Sequence, residues 1–248
     1  MLRRLFIETD RGRLRAGWRI GIGVFGLMTI IGVLAASVDA IEVPFIESFL
    51  WQLLAVPATI ALAVWLARLV DRRQFAEYGL DARLPRLAMG AALGLALAGI
   101  VFAAQAAAGW TEVVSTLHNR YDVPFIAGWF GFTVRYGSVA VFEELFHRGF
   151  LLTNLAEGMG RRRPRLWAAC IVASALFGAL HLTNSDASII GALNVALLGL
   201  LFGGAFVWTG RLSLSIGLHF GWNFALGPCL GLPVSGYEPI SRRWAPAP

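Results

Sequence analysis

Residues Val141–Phe150, VFEELFHRGF, set two glutamates, a histidine and an arginine into an apolar run that extends from Ile126 to Ala156. A charged side chain at bilayer depth costs a few kcal/mol even on lenient insertion scales, so such groups need partners or a function. Helix geometry divides the four. Glu144 and Arg148 are four residues apart, carboxylate before cation, and stack on one face as an internal ion pair. Glu143 is turned by about 100° from Glu144 and faces elsewhere, with His147 one turn below it. One carboxylate is therefore free to face the interior of a helix bundle.

The rest of the chain supplies that bundle. Of its 248 residues 57% are hydrophobic and only 15% are charged, and the mean hydropathy is +0.67, which excludes an ordinary soluble domain. A hydrocarbon core of about 30 Å takes about 20 apolar residues of helix. Ile20–Val38, Phe49–Ala67, Leu87–Thr111 and Ala187–Gly210 are such runs without charge; Ile126–Ala156, Leu166–Leu182 and Leu212–Leu226 are the polar ones. The expected fold is an all-α, polytopic transmembrane helix bundle of about seven spans. Gly90 with Gly94, and Gly23 with Gly26, are spaced to let helices approach closely.

The charges alternate along the chain. Arg3, Arg4, Arg11, Arg13, Arg15 and Arg19 precede the first run; Asp39, Glu42 and Glu47 follow it. Arg68, Arg72, Arg73, Arg83 and Arg86, then Arg161, Arg162, Arg163 and Arg165, then Arg211 recur on alternate connections, while Arg242 and Arg243 oppose the scheme. The positive-inside rule puts the amino terminus in the cytoplasm. The first run is long, uncharged and without a clear cleavage pattern, so it is expected to remain as an anchor. The net charge of +6 is distributed between apolar runs and forms no basic face, so no nucleic-acid partner is expected. Cys170 and Cys229 lack CxxC or Cys/His spacing and read as small apolar residues.

Two other polar spans hold groups that could meet Glu143. Phe177 and His181 lie one turn apart in FGALHL, and His219 and Asn223 one turn apart in LHFGWNF. The helical rise puts Glu143 and His181 both about 20 Å above the arginine-rich side, but His219 near 10 Å and Asn223 near 16 Å. Only a tilt, or a start deeper than Leu212, brings His219 level. Glu, His, His and Asn around water suit hydrolysis: a carboxylate deprotonates water, and imidazoles bind a metal or donate to an oxyanion. The spacing HExxH is absent, so the general-base and metal readings both stand.

These residues resemble the CPBP intramembrane proteases, a family that includes CAAX proteases and the Abi group. Its motifs EExxxR, FxxxH and HxxxN stand here as Glu143, Glu144 and Arg148, as Phe177 and His181, and as His219 and Asn223. The resemblance covers roughly Phe125 to Gly236. It implies spans of a variable region over 1–124, a catalytic core over 125–236 and a short tail over 237–248. It also implies an intramembrane endopeptidase in which Glu143 activates water, and His181 and His219 act as metal ligands or oxyanion donors. Asn223 then orients a ligand or the oxyanion, and Glu144 and Arg148 support the site. If a divalent metal such as zinc is bound, His181, His219 and Glu143 are its ligands. His147 departs from the pattern, where an apolar or aromatic residue is expected; packing, or a bond to Glu143, is its plain reading. The implied substrate is a peptide or membrane-tethered protein, and the lysine-poor chain points to a bacterial plasma membrane. Rival readings are a transporter or proton relay using the same buried groups, and an inactive immunity or scaffold protein.

Overall fold

The apolar runs fold as helices because a chain in lipid must satisfy its backbone hydrogen bonds internally. The structure, a computed structural model, describes residues 3–8, 12–38, 44–81, 83–113, 124–160, 162–184, 187–235 and 244–246. Arg11, Asp39, Glu42, Arg161, Arg242 and Arg243 lie outside the described residues, as does most of the 237–248 tail.

The main helices are α1 (Ala16–Val38), α2 (Pro44–Trp65, continued by a π-helical turn Leu66–Val70), α3 (Leu84–Ala107) and α4 (Phe125–Glu144). Helix α4 runs on through a π-helical stretch, Leu145–Leu152, into Thr153–Met159. Then come α5 (Arg163–Leu180), α6 (Ile189–Thr209) and α7 (Leu212–Phe224, continued by a π turn Ala225–Cys229). Two short antiparallel strand pairs, Ile7–Glu8 with Arg13–Leu14 and Thr111–Val113 with Trp244–Pro246, carry no signal in the apolar pattern. Proline in the first turn starts α3 and α5, where the missing N–H costs nothing. Ser188 caps α6 through the Gly191 N–H at 3.0 Å.

Five helical segments are long and apolar enough to cross a membrane: Ala16–Ser37, Leu53–Val70, Leu84–Ala107, Arg163–Thr183 and Ile189–Thr209. The expected seven runs are all helical, but α4 and α7 fall short of that criterion because they carry the polar motifs. The protein is a multi-pass membrane protein. Its outer surface is correspondingly apolar, with Phe25, Ile100, Ile126, Ile189 and Leu197 exposed. Trp18, Trp65, Trp167 and Trp208 are exposed at helix ends nearest the arginine clusters, and Trp110 and Trp129 at the opposite ends. Such aromatic belts mark the two interfaces of a bilayer.

Glycines weld α3 to α7. A Cβ on Gly90 or Gly94 would meet the backbone of Leu214 and Leu218, and one on Gly217 or Gly221 the backbone of Leu87 and Ala91. Small residues facing each other let two backbones touch, which replaces the hydrophobic drive that lipid removes. The helix carrying His219 and Asn223 is thereby held in register.

The arginine-rich face is closed by a buried ionic network. Glu157 Oε2 accepts from Arg13 at 2.8 Å, Arg19 at 3.0 Å and Arg73 at 2.6 Å. Asp71, fully buried, accepts from Arg19 at 3.3 Å, Tyr78 Oη at 2.8 Å and Asn154 Nδ2 at 2.9 Å. Burial, and next Asp71, push the Tyr78 phenol well above its ordinary value, so it donates as a neutral group. Burial by itself raises the Glu157 carboxyl, but Arg73, Arg13 and Arg19 outweigh it and hold the group below its ordinary value.

Candidate active site

Glu143 and Glu144 are the last two residues of α4, just before the π-helical stretch Leu145–Leu152. Turns of π-helix interrupt α-helices mostly at functional sites, because they re-aim side chains. Glu144 is fully buried, and its Oε1 accepts from Arg148 Nη1 at 2.8 Å and from His219 Nδ1 at 2.9 Å. Arg148 also donates to the Gly199 carbonyl at 3.0 Å, with its guanidinium 4.6 Å from the centre of the Phe177 ring. The Glu144–Arg148 pair matches the helix-face expectation. The bond from His219 to Glu144 has no signature in the sequence, because 75 residues separate the two.

Glu143 faces a different direction. Its side chain keeps 19% of its exposure and lines a cavity of about 360 Å³ together with His147, Phe177, His181 and Asn223. Glu143 Oε2 lies 3.8 Å from His219 Nε2. His219 is thus level with Glu143, higher than its position along the helix implied. The start of α7 is tied to the segment between α2 and α3: the Leu212 N–H donates to the Gly79 carbonyl at 2.8 Å, and Leu212 is fully buried.

His181 is at the C-cap of α5, in a 3₁₀ turn at the helix end. Its Nδ1 is 2.8 Å from the Phe177 carbonyl, and His147 Nδ1 is 2.9 Å from the Glu143 carbonyl. A carbonyl only accepts, so in both rings Nδ1 carries the proton, and Nε2 is a bare acceptor in the neutral form. The same holds for His219, whose Nδ1 bonds a carboxylate. The rings of His147, His181 and His219 pack edge-on around Phe177, with centroids 4.8, 4.7 and 6.2 Å away. His219 also stacks on Phe202 at 4.9 Å. His147 is buried, and its Nε2 has no hydrogen-bond partner among the described residues. The bond to Glu143 that the spacing allowed goes to the backbone, not the carboxylate.

Bare Nε2 lone pairs beside a carboxylate are chemically suited to a divalent metal, with Nδ1–H groups anchored as metal-binding histidines usually are. The spacing is another matter: among the described residues, no three His, Cys, Asp or Glu side chains gather closely enough to hold an ion.

Residues 123–225 match the family model described as type II CAAX prenyl endopeptidase Rce1-like. This segment, less than half of the chain, is similar to the CAAX protease family. Comparison with curated proteins gave no match, and neither did comparison with solved structures. The matched segment contains Glu143, Glu144, Arg148, His181, His219 and Asn223, and the similarity supports an intramembrane endopeptidase of the CAAX type in general.

Proposed function

We propose that this CAAX-type protease hydrolyses its substrate through a water held between Glu143 and His219. The observation that carries the reading is the 3.8 Å separation of Glu143 Oε2 and His219 Nε2 on the wall of a cavity that His181 and Asn223 also line. That gap exceeds a hydrogen bond, yet one water can touch both atoms. Two acceptors suit the two protons of one water. Glu143 takes the first as the oxygen attacks the scissile carbonyl, while His219 Nε2 holds the second and orients the lone pair.

The developing oxyanion needs a donor, and the Asn223 amide supplies it. In the tautomer with Nδ1 protonated, His181 and His219 present Nε2 as acceptors and orient water and substrate N–H groups. Glu143 then passes its proton to the departing amine as the C–N bond breaks. Glu144 fixes the His219 tautomer, and Arg148 keeps the Glu144 charge balanced. The proposed substrate class is a peptide or membrane-tethered protein; the family description adds prenylated CAAX chains as a class to compare.

The test is cleavage of a membrane-tethered reporter in proteoliposomes. Glu143→Ala and His181→Ala abolish cleavage with the thermal midpoint unchanged, and a metal chelator leaves the wild-type rate intact. Full cleavage by both variants contradicts the reading.

A further inference from the structure

Closure of the bundle is unequal at its two ends. On the arginine-rich face, Arg13, Arg19, Asp71, Arg73 and Glu157 form the buried network, and Tyr78 packs edge-on against Phe150 beneath the π-helical stretch. Tyr78 is fully buried, and a Cβ on Gly149 would lie 3.1 Å from the Tyr78 carbonyl. A pocket of about 780 Å³ on that face is lined by Arg15, Trp18, Arg19 and Glu157 and by none of the residues around Glu143, so it is separate from the cavity that Glu143 lines.

The cavity instead extends toward the other end. His181 ends a helix that begins at Arg163, so it lies about 27 Å from the arginine side along the axis. Beyond it the cavity is lined by Thr183, Asn184 and Ser235, of which Thr183 and Ser235 are exposed. Hydroxyl and amide groups at that rim suit the backbone of an extended peptide. Deeper, Leu27 and Ile31 of α1 form an apolar wall facing Phe177, which suits apolar side chains beside the scissile bond.

We propose that the substrate enters from the membrane face opposite the arginine clusters. By the positive-inside rule this is the non-cytoplasmic face. The substrate is then a peptide, or the juxtamembrane segment of a tethered protein, presented on that side. This inference rests on the endopeptidase reading for its substrate and on packing alone for its direction.

Two measurements separate those dependencies. In a chain carrying Cys170→Ala and Cys229→Ser, Ser235→Cys is treated with a membrane-impermeant maleimide in sealed vesicles of either orientation. Labelling is expected from the side opposite the amino terminus, and labelling only from the amino-terminal side overturns the proposal. Tethered reporters with the cleavable segment on one side or the other are then expressed with wild type or Glu143→Ala. Glu143-dependent cleavage of the non-cytoplasmic reporter, lost after outside maleimide treatment of Ser235→Cys, is expected. Cleavage of only the cytoplasmic reporter overturns the direction and leaves proteolysis standing. Outside labelling with neither reporter cut supports the direction and overturns the endopeptidase reading.

Discussion

Adjacent carboxylates in one helix meet different surroundings because the step of about 100° between neighbouring residues turns them apart. Glu144 is sealed between Arg148 and His219, whereas Glu143 is left at the cavity wall. Removing Glu144 strands a buried guanidinium, and breaking such a pair costs about 3–5 kcal/mol. Glu144→Ala therefore lowers the thermal midpoint strongly, and any folded fraction cleaves slowly because His219 loses its anchor. His147 gives a finer test. His147→Asn keeps a donor for the Glu143 carbonyl and discards Nε2; His147→Gln does the reverse. If the ring serves to hold the α4 backbone in place, Asn retains cleavage and Gln does not, and the opposite ranking assigns the work to Nε2. The split between Glu143 and Glu144 was legible from the 100° helical step, but the His219–Glu144 bond was not, because nothing in local spacing reports a contact between distant helices.

At the scale of elements, the site depends on helices whose regularity is broken next to the motifs. The π-helical stretch Leu145–Leu152 follows Glu144 directly, and another, Ala225–Cys229, begins two residues after Asn223. A regular 3.6-residue reading places the motifs on helices but cannot foresee these turns, nor the bond from the Leu212 N–H at the start of α7 to the Gly79 carbonyl. The glycine pairing of α3 and α7 was visible as Gly90 and Gly94, but their partners Gly217 and Gly221 emerge only from the fold. Gly221→Ala drives a methyl into the Ala91 backbone. Overpacking of this kind costs about 1–3 kcal/mol, so thermal unfolding in detergent shifts downward and cleavage falls as α7 is displaced. Gly32→Ala, with open space around its Cβ position, leaves both unchanged.

Across the whole molecule, one end is locked by charge and the other holds the polar rim of the cavity. The apolar runs and alternating arginines announced a membrane bundle, because length and hydropathy are enough for that. They did not announce that Arg13, Arg19 and Arg73 turn inward to meet Asp71 and Glu157, since topology rules count charges without fixing their contacts. The lock has a pH signature. Glu157 titrates below its ordinary value of 4.5 in the folded chain, so its stabilisation is complete above that pH and is lost as pH falls through the lowered folded value. The thermal midpoint therefore declines below about pH 4.5, and Glu157→Gln flattens that decline while lowering the plateau. The account as a whole turns on Glu143 acting as the base, and its most direct test is the cleavage rate of a tethered reporter by Glu143→Gln, with folding followed in the same sample. Loss of a positioned general base predicts a fall of about 100-fold or more with the thermal midpoint unchanged; a wild-type rate from the folded variant contradicts it.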